Sequence, residues 1–252
     1  MKVVSSNAGI HERRVVLRAF ASAAGVALIG CATARVASPG AQPSNGDEKH
    51  DEPEVTPGED LMQEHGVLEP DSLVYDEAAQ RIEKNEPLEL PVLTRAAGLV
   101  RSFVEDYHER LEEQFVFPRL QRAGRETKLV SVLLRQHELG RQLTDDILRR
   151  AEGRGNTELA QALRSFARMY RPHAAREDTV LFPAFRVVVG SSGYPELGER
   201  FEEQEHRQFG DHGFERVVAQ VAELELALGI HDFSNFTPPV IDRTSRLPPR
   251  SG

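Results

Sequence analysis

An eleven-residue frame occurs twice in this chain, and it repeats polar positions as faithfully as apolar ones. His108 to Pro118 and His173 to Pro183 align without a gap as H-x-x-x-E-[E/D]-x-x-[V/L]-F-P. A second match lies upstream of each copy, where Leu61-Met62-Gln63-Glu64-His65 parallels Leu133-Leu134-Arg135-Gln136-His137. The order His, then His-x-x-x-Glu, is therefore duplicated. Each unit offers two imidazoles and one carboxylate, and the six groups together suit a pair of metal ions held between four helices.

Residues four apart on an α-helix share a face, so His108 with Glu112, and His173 with Glu177, can serve one site from one helix. Neutral imidazole suits Fe, Zn, Cu or Ni, and a carboxylate adds a hard anionic oxygen that can bridge two ions. A mixed N/O set without thiolate argues against an iron–sulfur cluster or a structural zinc site. One His-x-x-x-Glu pair alone would carry little weight, because such pairs are common on solvated helix faces. The duplication carries the argument, since four of nine histidines fall at matched positions of the repeat. The candidate ligands are His65, His108, Glu112, His137, His173 and Glu177.

The 252 residues suffice for one core plus tails, and a 28% charged, 6% aromatic chain without Trp suits a helical bundle. The formal charge of −9 comes without a basic stripe, which argues against a nucleic-acid partner. The N-terminus reads as a targeting segment. Arg13-Arg14-Val15-Val16-Leu17-Arg18 resembles a twin-arginine export signal with Val16 at the usual Phe. The small, apolar run from Phe20 to Gly30 is too short to span a bilayer as a mature helix. Leu28-Ile29-Gly30-Cys31 resembles a bacterial lipobox, and Cys31, the only cysteine, is the candidate lipidation site. Residues 1–30 hold four basic residues and one acidic one, so their removal deepens the charge from −9 to −12. Attachment to a membrane would then come from acyl chains rather than charge. These features predict an exported cell-envelope lipoprotein.

The organisation read along the chain is an export signal (1–31), a tether (32–58), a four-helix bundle (59–186), a helical extension (187–228) and an irregular tail (229–252). The tether is rich in Pro, Gly, Ser and acid and lacks large apolar groups. Apolar periodicity predicts bundle helices over 59–84, 92–121, 126–152 and 158–186, then shorter ones over 195–208 and 212–228. Val132 is placed on the apolar face of the third. Pro70 predicts a kink or break near Gly66–Pro70, and Pro118 should kink or end the second helix. By helical phase Glu105 precedes His108 by one turn and Tyr170 precedes His173 likewise. Each is a candidate seventh ligand or imidazole partner, with an exposed Glu and a packed Tyr as the favoured alternative. Glu202, Glu205 and His206 read as a solvated face or a cap on the bundle end. His212 reads as a helix start, and His11, His50 and His231 receive no role.

Glu64-His65, His108 to Pro118, His137, and His173 to Pro183 resemble the hemerythrin family in its HHE cation-binding branch, over about residues 59–186. The resemblance implies an all-α, antiparallel up-down four-helix bundle around a non-haem di-iron centre, with one or two extra C-terminal helices here. It implies that His65 and His137 are single histidine ligands and that Glu112 and Glu177 bridge the ions. Oxygen-carrying members have a fifth histidine one turn after the third-helix histidine, where this chain has Arg141. The implied cofactor is two iron ions, with another divalent metal as the alternative. The implied partner is a small oxidant or gas ligand such as O2, peroxide or NO. The function expected is binding or reduction of that oxidant, or iron buffering. A non-catalytic metal or redox sensor and a purely structural helical lipoprotein are the alternatives. No Ser/His/Asp set proposes a protein nucleophile.

Overall fold

The computed structural model describes residues 55–239 except Arg154. The export signal with Cys31, residues 32–54 of the tether and residues 240–252 of the tail lie outside the described residues. Among the described residues every regular element is a helix. Helix α1 is Pro57–Lys84. Helix α2 (90–122) is one rod in which π-helical turns Val100–His108 and Glu112–Val116 interrupt α-helical ones. Helix α3 is Thr127–Ala151, and α4 (157–189) carries a π turn at Glu177–Leu181. Helices α5 (Tyr194–Phe209) and α6 (Gly213–Leu228) follow, then a short 3₁₀ turn, Phe233–Phe236.

Local chemistry sets these limits. Thr56 caps α1 in a reciprocal box: its hydroxyl accepts from the Glu59 N–H at 3.4 Å, and the Glu59 carboxylate accepts from the Thr56 N–H at 2.9 Å. Pro57 fills the first turn, where a missing N–H costs nothing. Asn85, in the left-handed region, ends the helix. Asn156 caps α4 by accepting from the Leu159 N–H at 2.9 Å. Helix α1 thus starts two residues before the predicted boundary, and α4 runs past residue 186 to Val189.

Neither proline breaks its helix. Helix α1 passes through Pro70 without a break. Buried Leu68, Asp71, Ser72 and Val74 hold the turns on either side of it, which offsets one lost hydrogen bond. Nor does Pro118 end α2, which continues to Arg122. In both copies of the repeat the residue before the proline donates five residues back, Phe117 N–H to the Glu112 carbonyl and Phe182 N–H to the Glu177 carbonyl. The proline ring therefore meets a widened π turn rather than a closed α-helical ladder.

Connections of four or five residues make α1 through α4 antiparallel neighbours, and the four close into a bundle. Its core holds Tyr75, Phe103, Tyr107, Phe117, Phe166, Tyr170, Phe182 and Phe185, all essentially inaccessible. Val132 stands apart from the predicted face and is 53% exposed. Helix α6 lies across α1 and α2, and α5 packs on α1 and α6. The Glu205 carboxylate accepts from the Phe214 N–H at 3.0 Å, so it closes the start of α6, and His212 forms that helix's N-cap. The first described stretch of the tail packs through Ile230, while Phe233 and Phe236 are exposed. No helix among the described residues is long and apolar enough to cross a membrane.

Candidate metal centre

His65 from α1, His108 and Glu112 from α2, His137 from α3, and His173 and Glu177 from α4 converge in the middle of the bundle. All six are buried. They form two groups that share one carboxylate. His65, His108 and Glu177 make one pocket, and Glu112, His137, His173 and Glu177 make the other, with the donor atoms of each within 4.8 Å of one another. Glu177 faces both pockets with different oxygens, Oε2 lying 3.4 Å from His65 Nε2 and Oε1 3.0 Å from His173 Nε2. Glu112 Oε2 lies 3.7 Å from His108 Nε2 and 3.5 Å from His137 Nε2. Both carboxylates therefore stand between the pockets.

Every histidine presents Nε2 to the centre because another side chain holds Nδ1. His65 Nδ1 meets Asp178 Oδ1 at 2.8 Å, and His108 Nδ1 meets Glu64 Oε2 at 2.8 Å. His137 Nδ1 meets Glu113 Oε1 at 3.1 Å, and His173 Nδ1 meets Gln136 Oε1 at 2.9 Å. A carboxylate or amide oxygen only accepts, so each Nδ1 carries a proton and each Nε2 faces the centre. These four partners obey the repeat. Glu64 and Gln136 each precede a single histidine, and Glu113 and Asp178 each follow a central glutamate. They are the functional residues that sequence reasoning did not assign. Their signal was present, since both pairs occupy matched columns of the duplicated frame.

Glu105 and Tyr170 take other roles. Glu105 is fully buried, not exposed; it pairs with Arg101 at 2.7 Å and accepts from the Thr144 hydroxyl. Tyr170 is packed, as the alternative reading had it, and its hydroxyl donates to Glu109. Gly140 makes that contact possible, because a Cβ there would stand 2.1 Å from the Tyr170 oxygen. Arg141, one turn after His137, turns outward from the centre. Its Nη2 lies 2.7 Å from both Glu109 and Glu113.

Burial and mutual charge set the protonation of the centre. Both oxygens of Glu112, both of Glu177, and His137 Nε2 are buried without a hydrogen bond. Burial and the neighbouring Glu177 charge push the Glu112 carboxyl well above its ordinary range. Burial acts on Glu177 in the same direction, but His173 and His65 outweigh it and hold Glu177 well below its ordinary range. Burial alone would depress His65; the Asp178 and Glu177 carboxylates win and raise it to about 9. Burial and the adjacent His65 charge drop His108 to about 3, and burial drops His137 to about 4 despite Glu113. The pocket therefore holds protons where positive charge is wanted. Unpaired buried carboxylates are costly, and a cation among them removes the cost. The donor set and these orphaned atoms fit a pair of N/O-ligated metal ions.

Comparison with known proteins bears on the same residues. The family described as the hemerythrin HHE cation binding domain matches residues 56–185. An uncharacterized protein of Mycobacterium tuberculosis strain H37Rv, Rv1995, is 43% identical over 233 residues, covering 90% of this chain and 91% of that protein. Uncharacterized proteins of Mycobacterium bovis (Mb2018) and M. tuberculosis strain CDC 1551 (MT2051) match to the same extent. No solved structure matches.

Proposed function

The chain belongs to the hemerythrin HHE cation-binding family, and on that premise we propose that it is a non-haem di-iron protein that binds or reduces a small oxidant, or buffers iron. One observation carries the reading: four carboxylate oxygens and an imidazole nitrogen, all buried, lack hydrogen-bond partners at the meeting point of two histidine pairs. His65 and His108 would hold one ion and His137 and His173 the other, with Glu112 and Glu177 bridging. Bound iron supplies a redox and Lewis-acid centre with coordination positions left for O2, peroxide or NO. The protein's own part is to fix four imidazole tautomers from outside and to keep the centre dry. Phe117 and Phe182, the matched aromatics of the repeat, serve the second purpose, with ring centroids 5.4 Å from His137 and 5.7 Å from His65. Arg141 stands where oxygen carriers of the family have a fifth histidine, which favours oxidant chemistry or iron storage over reversible O2 carriage.

The test is metal content with an absorption spectrum of aerobically purified protein. About two irons per chain with near-ultraviolet oxo-bridge bands support the proposal. Absence of bound metal, with melting unchanged by Fe(II), overturns it. We further propose that the protein is exported and anchored to the cell envelope through lipidated Cys31, a reading supported by the Arg13-Arg14 motif and the apolar run before Cys31. Under it, Cys31→Ser releases the protein from the membrane fraction. Release of wild type and variant alike would remove the anchor from the account.

A further inference from the structure

We propose that the two halves of the centre are unequal and that Gln136 makes them so, the ion between His65 and His108 being held more tightly than the one between His137 and His173. The inference rests on the metal-binding reading above and adds to it an order of loading.

Four residues orient the four histidines, and the repeat pairs them as Glu64 with Gln136 and Asp178 with Glu113. Three are acids and one is a neutral amide. An imidazole whose N–H points at a carboxylate is a stronger electron donor to a metal than one whose N–H points at an amide. His108 donates to Glu64 at 2.8 Å, and its counterpart His173 donates to Gln136 at 2.9 Å. The distances match, so the two imidazole contacts differ in charge rather than length, although Glu64 also accepts from the Tyr107 hydroxyl at 3.1 Å.

The second pair widens the inequality. Asp178 makes its only ion pair among the described residues with His65. Its counterpart Glu113 is shared, with Arg141 Nη2 at 2.7 Å and Arg110 Nη1 at 2.6 Å besides His137 at 3.1 Å. Two guanidinium groups draw charge away from the bond that would strengthen His137. Arg141 also sets a fixed positive charge behind the pocket in which a cation must sit. The His65–His108 pocket is thus backed by two acids, whereas its pseudo-symmetric partner is backed by an amide and by Glu113 and the more distant Glu109, 3.9 Å from His137 Nδ1, both of which pair with Arg141 at 2.7 Å. Gln136 acts on the metal only through His173, which makes it a positioning residue.

The experiment is an anaerobic titration of the metal-free full chain with Co(II), followed by calorimetry and by the ligand-field absorption of cobalt. Loss of an orienting partner commonly costs about 10–100-fold in metal affinity, so two steps separated by that factor or more are expected. Repulsion between the ions would separate the steps even in a symmetric centre, so isosteric variants decide. Gln136→Glu should strengthen the weaker pocket and narrow the gap. Glu64→Gln should weaken the tighter pocket and narrow it from the other side. A gap that widens in Glu64→Gln, or that Gln136→Glu leaves unchanged, overturns the inference while two bound ions uphold the metal reading. No cobalt uptake overturns both.

Discussion

Replacing Glu112 by glutamine should make the metal-free protein more stable and the metal-loaded protein less so. Glu112 is 0% exposed, and neither of its oxygens accepts a hydrogen bond. Without a cation, burial and the Glu177 charge force a proton onto Glu112. An amide keeps the shape and spares the folded state the cost of protonating a carboxyl at neutral pH, which should return about 1–3 kcal/mol at about 1.4 kcal/mol per pH unit. The wild type recovers more by binding. An ion present at a hundred times its dissociation constant stabilises the fold by about 2.7 kcal/mol. In a domain of this size each kcal/mol moves the melting temperature by about 2–4 °C, so the first ion should raise it by about 5–11 °C. Scanning calorimetry of both proteins, chelated and then with anaerobic Fe(II), should show the two melting temperatures exchanging order. A variant that melts below the wild type by the same amount in both conditions would show that the Glu112 carboxyl serves packing alone, and the metal argument would fail.

Three further outcomes follow from the same geometry. Burial and the nearby Glu225 charge raise Asp71 well above its ordinary range, and both its oxygens lack partners. The folded state therefore binds the proton more tightly than the unfolded state, and stability falls as pH rises through the unfolded value of about 3.9 towards the folded one. Asp71→Asn should gain about 1–3 kcal/mol at neutral pH in urea unfolding and lose that gain in acid; an equal effect at both pH values would contradict this. Gly140→Ala should cost about 1–3 kcal/mol by driving a methyl group into the Tyr170 hydroxyl, and Tyr170→Phe in the same chain should restore part of the loss in thermal melting. Metal loading must displace the proton that Asp178 and Glu177 hold on His65 up to about 9. Affinity should accordingly rise with pH through the neutral range, and isothermal titration in buffers of different ionisation enthalpy would count this proton together with the one that Glu112 carries.

The fold and the six central residues were legible because both are written in periodicities. Apolar spacing placed all six helices to within a few residues, and the duplicated frame singled out two imidazoles and one carboxylate per unit. Helical phase failed where the helix itself changes. An α-helical turn makes Glu105 a candidate for the face of His108, but Val100–His108 is π-helical, with more residues per turn. Glu105 consequently points to Arg101 and Thr144 rather than to the centre. A π turn has no composition of its own, and the only trace it left in the sequence was the Phe-Pro that follows each central glutamate. Pro70 misled for the opposite reason. Propensity marks it as a break, but tertiary packing of the neighbouring turns outweighs a single lost hydrogen bond. The orienting partners Glu64, Glu113, Gln136 and Asp178 sat in matched columns, yet their roles depend on contacts across 24 to 113 residues, which spacing does not encode.

Those long-range contacts explain why the unit had to be duplicated. The first hairpin, α1 and α2, supplies both histidines of one pocket, and the second, α3 and α4, supplies both of the other. The carboxylate facing His65 comes from the second hairpin, and the one facing His137 comes from the first. The orienting contacts cross in the same way. His108 and His173 are held from within their own hairpins, but His65 is held by Asp178 and His137 by Glu113 across the interface. Neither hairpin alone contains a pocket with two oriented imidazoles and a carboxylate. A complete pocket exists only when the hairpins pack, so the free energy of metal binding is spent on the same interface that buries Phe117, Phe166 and Phe182. Any substitution that loosens this interface should then weaken both ions together, whereas a substitution at one orienting partner acts mainly on the histidine it holds.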